Sequence, residues 1–128
     1  MKILLLGKNG QVGWELQRSL APPGELVVCE FDSAAPLPAN FAHPQSLVPL
    51  VRAVRPDVIV NAAAHTVVDR ADSEPELARA LNAIASGALA RQAAEQGELL
   101  DNYSTDHVFD GSGDTPRDER VPTGPLSV

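Results

Sequence analysis

The sequence predicts an α/β fold, a doubly wound parallel sheet with helices on both faces, and three observations carry the prediction. Apolar runs at residues 3–6, 26–29 and 58–60 have the form of short strands buried on both faces of a parallel sheet. Between and after them lie stretches with apolar residues at helical spacing. The first run leads directly into three glycines three residues apart, Gly7, Gly10 and Gly13, and these open a helical pattern.

Strand, glycine turn and helix form the unit that holds a dinucleotide pyrophosphate. One glycine permits the tight turn, and another lets the backbone approach the phosphates without a Cβ in the way. A third lets helix and strand pack closely, so that the free N–H groups and positive dipole end of the helix face the anion. The spacing is Gly-x-x-Gly-x-x-Gly rather than the Gly-x-Gly-x-x-Gly of the simplest fingerprint. The expected architecture is a Rossmann-type sheet of about five strands in the order 3-2-1-4-5.

The bulk properties fit one domain with a real core. The chain has 128 residues, of which 44% are apolar and only 4% aromatic, a composition suited to close-packed layers of helix on sheet. A formal net charge of −7 disfavours nucleic acid or an anionic membrane as partner. Helix termini and a local Lys or Arg can still attract a phosphate ligand. Cys29 is alone, which rules out a disulfide framework or a cysteine metal cluster. The run after Lys2 is too short for a signal-peptide core and nothing reaches the length of a membrane span, so the cytoplasm is expected.

Taken in order, the first helix is expected to begin near Gln11 and to bury Val12, Leu16 and Leu20, with Pro22, Pro23 and Gly24 ending it. Glu30 closes the second strand 17 residues beyond Gly13, about where a carboxylate accepts hydrogen bonds from the adenosine ribose hydroxyls; Asp32 is its reserve. Residues 33–44 read as an irregular connection with a brief strand at 39–41, placing Asn40 near an adenine edge. A helix over 46–54 is expected to have Ser46 as its cap and Leu47, Leu50, Val51 and Val54 inward. The third strand ends in Asn61, Ala62, Ala63, Ala64, His65 and Thr66. In open parallel sheets the ligand lies outside the carboxyl ends of the strands, where alanines leave room for a flat cofactor. His65 has no second ligand at metal spacing.

Ser73 and Glu76 have capping-box spacing, with Pro75 in the first turn. The long helix beyond them has an inner stripe of Leu77, Leu81, Ile84, Ala85, Ala88, Leu89 and Ala93, and Gly97 ends it. Asn82 is unusual within it: either exposed, or pointing an amide at the site. Residues 99–103 form the last expected strand, although Asp101 and Asn102 are poor company for a buried one. Ser104, Thr105 and Asp106 come next.

Four blocks stand in order: residues 7–18, Gly-Lys-Asn-Gly-Gln-Val-Gly-Trp-Glu-Leu-Gln-Arg; residues 55–66, Arg-Pro-Asp-Val-Ile-Val-Asn-Ala-Ala-Ala-His-Thr; residues 68–76, Val-Asp-Arg-Ala-Asp-Ser-Glu-Pro-Glu; and residues 103–111, Tyr-Ser-Thr-Asp-His-Val-Phe-Asp-Gly. With these the whole chain resembles the N-terminal half of an extended short-chain dehydrogenase/reductase, and more narrowly the dTDP-4-dehydrorhamnose reductases. The resemblance implies hydride transfer from NADH or NADPH to the 4-keto carbon of a dTDP-linked deoxysugar. It implies that Gly7, Gly10, Gln11, Val12 and Gly13 cradle the pyrophosphate, Glu30 holds the adenosine ribose, and Asn40 lies by the adenine. Ala62, Ala63, Ala64 and His65 would line the cofactor channel, with Tyr usual where His65 stands. Thr105 would be the matching member of a Ser/Thr-Tyr-Lys catalytic set, its hydroxyl bonding the substrate carbonyl as negative charge develops there. Asp106 and His107 would sit nearby.

Some bacterial relatives bind Mg2+ at a dimer contact through glutamates, and Glu15 matches one of these. In the family, the segment resembling residues 125–128 runs into Tyr-x-x-x-Lys. There the Tyr gives a proton to the carbonyl oxygen, and the Lys lowers its pKa. These 128 residues contain no such pair, because the single tyrosine, Tyr103, has no Lys three or four positions on. The expectation is therefore a cofactor-binding domain, truncated relative to the family, that is not a competent reductase by itself. Its last strand would be an open edge suited to a homodimer. The alternatives are a dinucleotide-binding module without catalysis, and another nucleotide-sugar enzyme such as an epimerase or dehydratase.

Overall fold

The computed structural model describes residues 1–30 and 39–126. Asp32 and the first half of the connection, residues 33–38, lie outside the described residues. The apolar runs form four parallel strands, β1 Lys2–Leu6, β2 Glu25–Cys29, β3 Val58–Asn61 and β4 Leu99–Asn102, in the order β2-β1-β3-β4. That is the expected order without its outermost strand. The register places Leu6, Cys29, Asn61 and Asn102 in one row, which is the carboxyl edge of the sheet.

Alternation along β1 decides the layers. Leu4 and Leu6, with Cys29 and Ile59, face Leu47, Leu50 and Val51 of α2 (Leu47–Val54) and Ala85, Leu89 and Ala93 of α5 (Ala85–Gln96). Ile3, Leu5 and Val60 face the other way, against Leu16 and Leu20, which lie on and just beyond α1 (Gln11–Ser19). All four of residues 3–6 are thus buried, and helices cover both faces as the sequence implied. The alanines of α5 bring its backbone close to the sheet, giving a dense layer with little aromatic bulk. No helix among the described residues is long and apolar enough to cross a membrane.

Four local expectations are corrected. Residues 39–41 form no strand: Ala39 and Phe41 are buried, but the polar groups between them are satisfied in a turn. Asn40 Oδ1 accepts the Ala42 N–H, and its carbonyl accepts from the His43 N–H and Ser46 Oγ. Val12 is 43% exposed, because α1 turns Gly13 inward instead. Ser73 is not a cap; its hydroxyl donates back to the Arg70 carbonyl, ending α3 (Val68–Ser73), while Glu74 occupies the cap position before Pro75. Ile84 is 45% exposed, because residues Ala80–Ile84, between α4 (Pro75–Arg79) and α5, form a π-helical turn. The wider turn rotates Ile84 outward while Leu81 and Ala85 stay on the core side.

At the amino edge Asp57 ties three strands together. Its N–H donates to the Lys2 carbonyl, its carboxylate accepts the Lys2 N–H at 2.6 Å, and its carbonyl accepts the Leu99 N–H. Glu98 lies beside it, with Oε2 buried and without a hydrogen-bond partner among the described residues. Burial first, and the Asp57 charge second, push the Glu98 carboxyl above its ordinary value. A carboxyl raised in the fold stabilises it in acid, below the unfolded value, and that contribution is lost as pH rises through the folded value. Glu98→Gln is therefore expected to melt above the wild type at pH 7, with the advantage shrinking towards pH 4. Thermal melts at the two pH values check this, and no gain at pH 7 would refute it.

Candidate functional site

The carboxyl edge of the sheet is where two backbone segments meet. Gly7, just past β1, has φ of +87°, and a Cβ there would lie 2.6 Å from the Ala63 nitrogen and 2.7 Å from the Ala62 carbonyl carbon. A Cβ on Gly13 would lie 2.0 Å from the Gly7 oxygen. These two glycines are therefore required by the fold: one lets the loop after β3 rest on the turn after β1, and the other lets α1 pack over that turn. Gln17 braces the arrangement, its Nε2 donating to the Lys8 and Gly13 carbonyls.

Gly10 is different. Its φ of −73° and ψ of 162° suit any residue, and the nearest atom to a Cβ there is the Gly7 oxygen at 3.6 Å. Nothing in the packing demands a glycine, yet Gly10 lines a cleft of about 150 Å³ together with Gly7, Glu30, Phe41, Ala62, Ala63, Ala64 and Leu81. Its bare Cα keeps that cleft open. The Trp14 N–H takes the Gly10 carbonyl as the first helical bond. The N–H groups of Gln11, Val12 and Gly13 find no acceptor among the described residues, so the positive end of α1 is unsatisfied beside the cleft. Unpartnered amides at a helix N-terminus are an arrangement suited to an oxyanion.

Of the residues expected at the site, Gly7, Gly10, Glu30, Ala62, Ala63 and Ala64 line the cleft together. The Glu30 carboxylate also accepts the Asn9 N–H at 3.1 Å. Burial pushes the neighbouring Cys29 thiol up, and the Lys8 ammonium offsets this in part, so a cation also stands at this end of β2. Gln11, Val12 and Gly13 form the first turn of α1 and contribute amides rather than walls. Asn40 does not line the cleft; its side chain is engaged by Ala42, and Phe41 takes the place beside the pocket. Sequence reasoning misses Phe41 and Leu81 as site residues. The place of Leu81 on the inner stripe of its helix is the one available signal for it.

His65 turns away from the cleft. Its side chain is only 9% exposed, with Nε2 3.9 Å from Glu74 Oε2 and Nδ1 buried without a partner among the described residues. Its peptide is held at both ends by Asn82, whose Oδ1 accepts the His65 N–H at 2.8 Å and whose Nδ2 donates to its carbonyl at 3.1 Å. The odd polar residue of the long helix thus fixes the far end of the alanine loop. A larger groove of about 370 Å³, lined by Pro75, Glu76, Ala78, Arg79, Asn82 and Ala83, shares none of the glycine-turn residues.

Thr105 stands beyond β4, at the same carboxyl edge but outside the cleft. It is exposed and caps a short 3-10 turn over Asp106–Val108, its Oγ1 accepting the His107 N–H at 3.2 Å and lying 3.4 Å from Asp106 Oδ1. The contact to Asp106 is long and weak, so the hydroxyl proton can swing to a stronger acceptor. Glu15 is exposed on α1 and ion-paired with Arg18. No group of three potential metal-ligating side chains occurs among the described residues, and Glu15 belongs to no such group there.

The two classes of glycine separate experimentally. Gly13→Ala is expected to lower the melting midpoint by about 5–15 °C or to abolish a cooperative melt, because a backbone carbonyl must move. Gly10→Ala is expected to melt within about 3 °C of the wild type. Equal losses in the two variants would contradict the assignment.

Comparison with known proteins agrees with the fold. A family model described as the RmlD substrate binding domain matches residues 1–128. The dTDP-4-dehydrorhamnose reductase of Salmonella typhimurium is 55% identical over 128 residues, and that of Escherichia coli K12 is 52% identical. In each case the match covers 100% of this chain and 42% of the relative, so the chain spans well under half the length of the curated relatives it matches. Among solved structures, a dTDP-4-dehydrorhamnose reductase from Clostridium acetobutylicum superposes with a TM-score of 0.89 at 33% identity, covering 99% of this chain and 44% of that one. The Bacillus anthracis enzyme, solved in complex with NADP, gives 0.83 at 32% identity, covering 98% and 44%. The glycine turn, the alanine loop and the Thr105 turn all fall within the matched span, and the chain belongs to the RmlD substrate binding domain family.

Proposed function

We propose that this chain is the dinucleotide-binding part of an NAD(P)H-dependent dTDP-4-dehydrorhamnose reductase. Residues 1–128 would act as one domain holding the cofactor for reduction of the 4-keto group of a dTDP-linked deoxysugar. The observation that carries the reading is Gly10, a glycine the fold does not need, on the wall of a cleft next to unpartnered helix amides. The Gln11, Val12 and Gly13 N–H groups would bind the pyrophosphate, and residues 62–64 would bound the channel toward the nicotinamide. The bound cofactor supplies the hydride. Thr105 would turn its hydroxyl from Asp106 to the substrate carbonyl oxygen as charge develops there, while the His107 N–H holds the Thr105 oxygen in place. The proton that oxygen finally takes would come from the family's Tyr-x-x-x-Lys, which these 128 residues do not contain. By themselves they would bind cofactor without turnover.

Glu30 favours NADH. Its carboxylate on the cleft wall can accept hydrogen bonds from a vicinal diol, whereas a 2′-phosphate would bring like charge against it. Lys8 offsets part of this repulsion. Titrations followed by nicotinamide fluorescence are expected to show NADH binding about tenfold more tightly than NADPH, with Glu30→Ala narrowing the gap. Gly10→Val is expected to lose both ligands while retaining the wild-type melt. Equal affinities in the wild type would overturn the preference, and undiminished binding to a folded Gly10→Val protein would overturn the site.

A further inference from the structure

The buried amide of Asn61 joins the two halves of the site. Asn61 is 2% exposed and closes β3, directly opposite Asn102 at the end of β4. Its Oδ1 accepts the Ala63 N–H at 3.2 Å, which curls the alanine loop over the cleft. Its Nδ2 donates to Asn102 Oδ1 at 2.8 Å and faces Ser86 Oγ at 3.5 Å. Asn102 in turn donates from Nδ2 to the Tyr103 carbonyl at 3.1 Å, and the Tyr103 N–H returns to the Asn61 carbonyl at 3.2 Å. The Ser86 hydroxyl donates to the Asn82 carbonyl at 3.3 Å, and Asn82 holds the His65 peptide. One hydrogen-bonded chain therefore runs from the wall of the cleft, through the ends of two strands, to the residue two positions before Thr105.

A pair of β-branched residues would serve the strand ladder at this position without burying an amide. A buried amide is tolerated only where its partners are in place, so the pair specifies one relative position of the two strand ends. We propose that Asn102 is a positioning residue: through Asn61 it holds the Thr105 turn at a fixed distance from the alanine wall of the cleft. A dinucleotide seated on that wall and the hydroxyl at Thr105 then share one frame. This inference rests on the dinucleotide reading and adds to it the residue that registers the two parts of the site.

The test is NADH titration of the 15N-labelled chain, with hydrogen exchange measured alongside. In the wild type, NADH is expected to shift the amides of residues 62–65 and, through the latch, those of residues 103–107. In Asn102→Ala, residues 62–65 should still respond and affinity should stay within about threefold. The response at residues 103–107 should fall by about half or more, and the Tyr103 amide should exchange about tenfold faster. Asn102→Asp, which keeps the acceptor for Asn61, should restore much of the response. Asn102→Ser, too short to reach Asn61, replaces Asn102→Ala should that variant fail to fold. A wild-type response at residues 103–107 in folded Asn102→Ala or Asn102→Ser overturns the positioning role. Absence of any wild-type shift at residues 62–65 sinks the dinucleotide reading instead. The latch is then judged by exchange alone, and unchanged Tyr103 exchange in the variant refutes it.

Discussion

The rest of the structure depends on a contact between two stretches of bare backbone. Where β1 ends, Gly7 turns with positive φ beneath the peptide joining Ala62 and Ala63, and Gly13 sits on the Gly7 oxygen. Each approach is closer than any side chain permits, so three segments distant in sequence are forced to one point. Geometry does the rest. The first turn of α1 is aimed across the carboxyl edge, the alanine loop is pressed against it, and the space left between them is the cleft. Because the strands are parallel, the chain leaving β4 emerges at the same edge and carries Thr105 there.

The two edges of the sheet are finished by the same device, a short polar side chain that satisfies backbone groups of a neighbouring strand. At the amino edge Asp57 bonds β1 through both its backbone and its carboxylate. At the carboxyl edge Asn61 bonds its own loop and reaches β4. Their environments differ, and this sets their worth. Asp57 is exposed, so its charge remains hydrated. Asn61 is buried, so the loss of one of its partners leaves an amide that water cannot reach, at about 1–3 kcal/mol. Tolerance to substitution should therefore be lower at the functional edge than at the opposite one.

Much of this was legible in sequence, and the exceptions share a cause. The buried strands announced themselves as apolar runs, and the glycine spacing marked the turn because nothing else in the chain repeats in that way. What sequence could not separate was the duty of each glycine, since Gly7, Gly10 and Gly13 look alike until the atoms around each Cα are known. Val12 misled because helical spacing gives a stripe but not its rotation, and the close approach at Gly13 set that rotation. Ile84 misled because a π turn breaks the 3.6 period from which the stripe was drawn. Residues 39–41 have the alternation of a strand, but Asn40 bonds its neighbours and consumes the groups a ladder would need. Asn102 looked out of place inside a strand because its complementarity to Asn61 exists only across the sheet.

An acidic chain with an anion cradle is consistent because the relevant field is local. At about 0.15 M salt, charges more than about 8 Å away are largely screened. An oxyanion at the head of α1 would therefore feel the unpaired amides and Lys8 far more than most of the 17 acidic residues. Among the described residues the acid on the cleft wall is Glu30, which shares it with Gly10. On the proposed reading, the same short range would let a chain of net charge −7 accept a diphosphate and let the Glu30 carboxylate discriminate at the adjoining ribose. Binding and selectivity would then reside in a few atoms around one turn rather than in the overall charge.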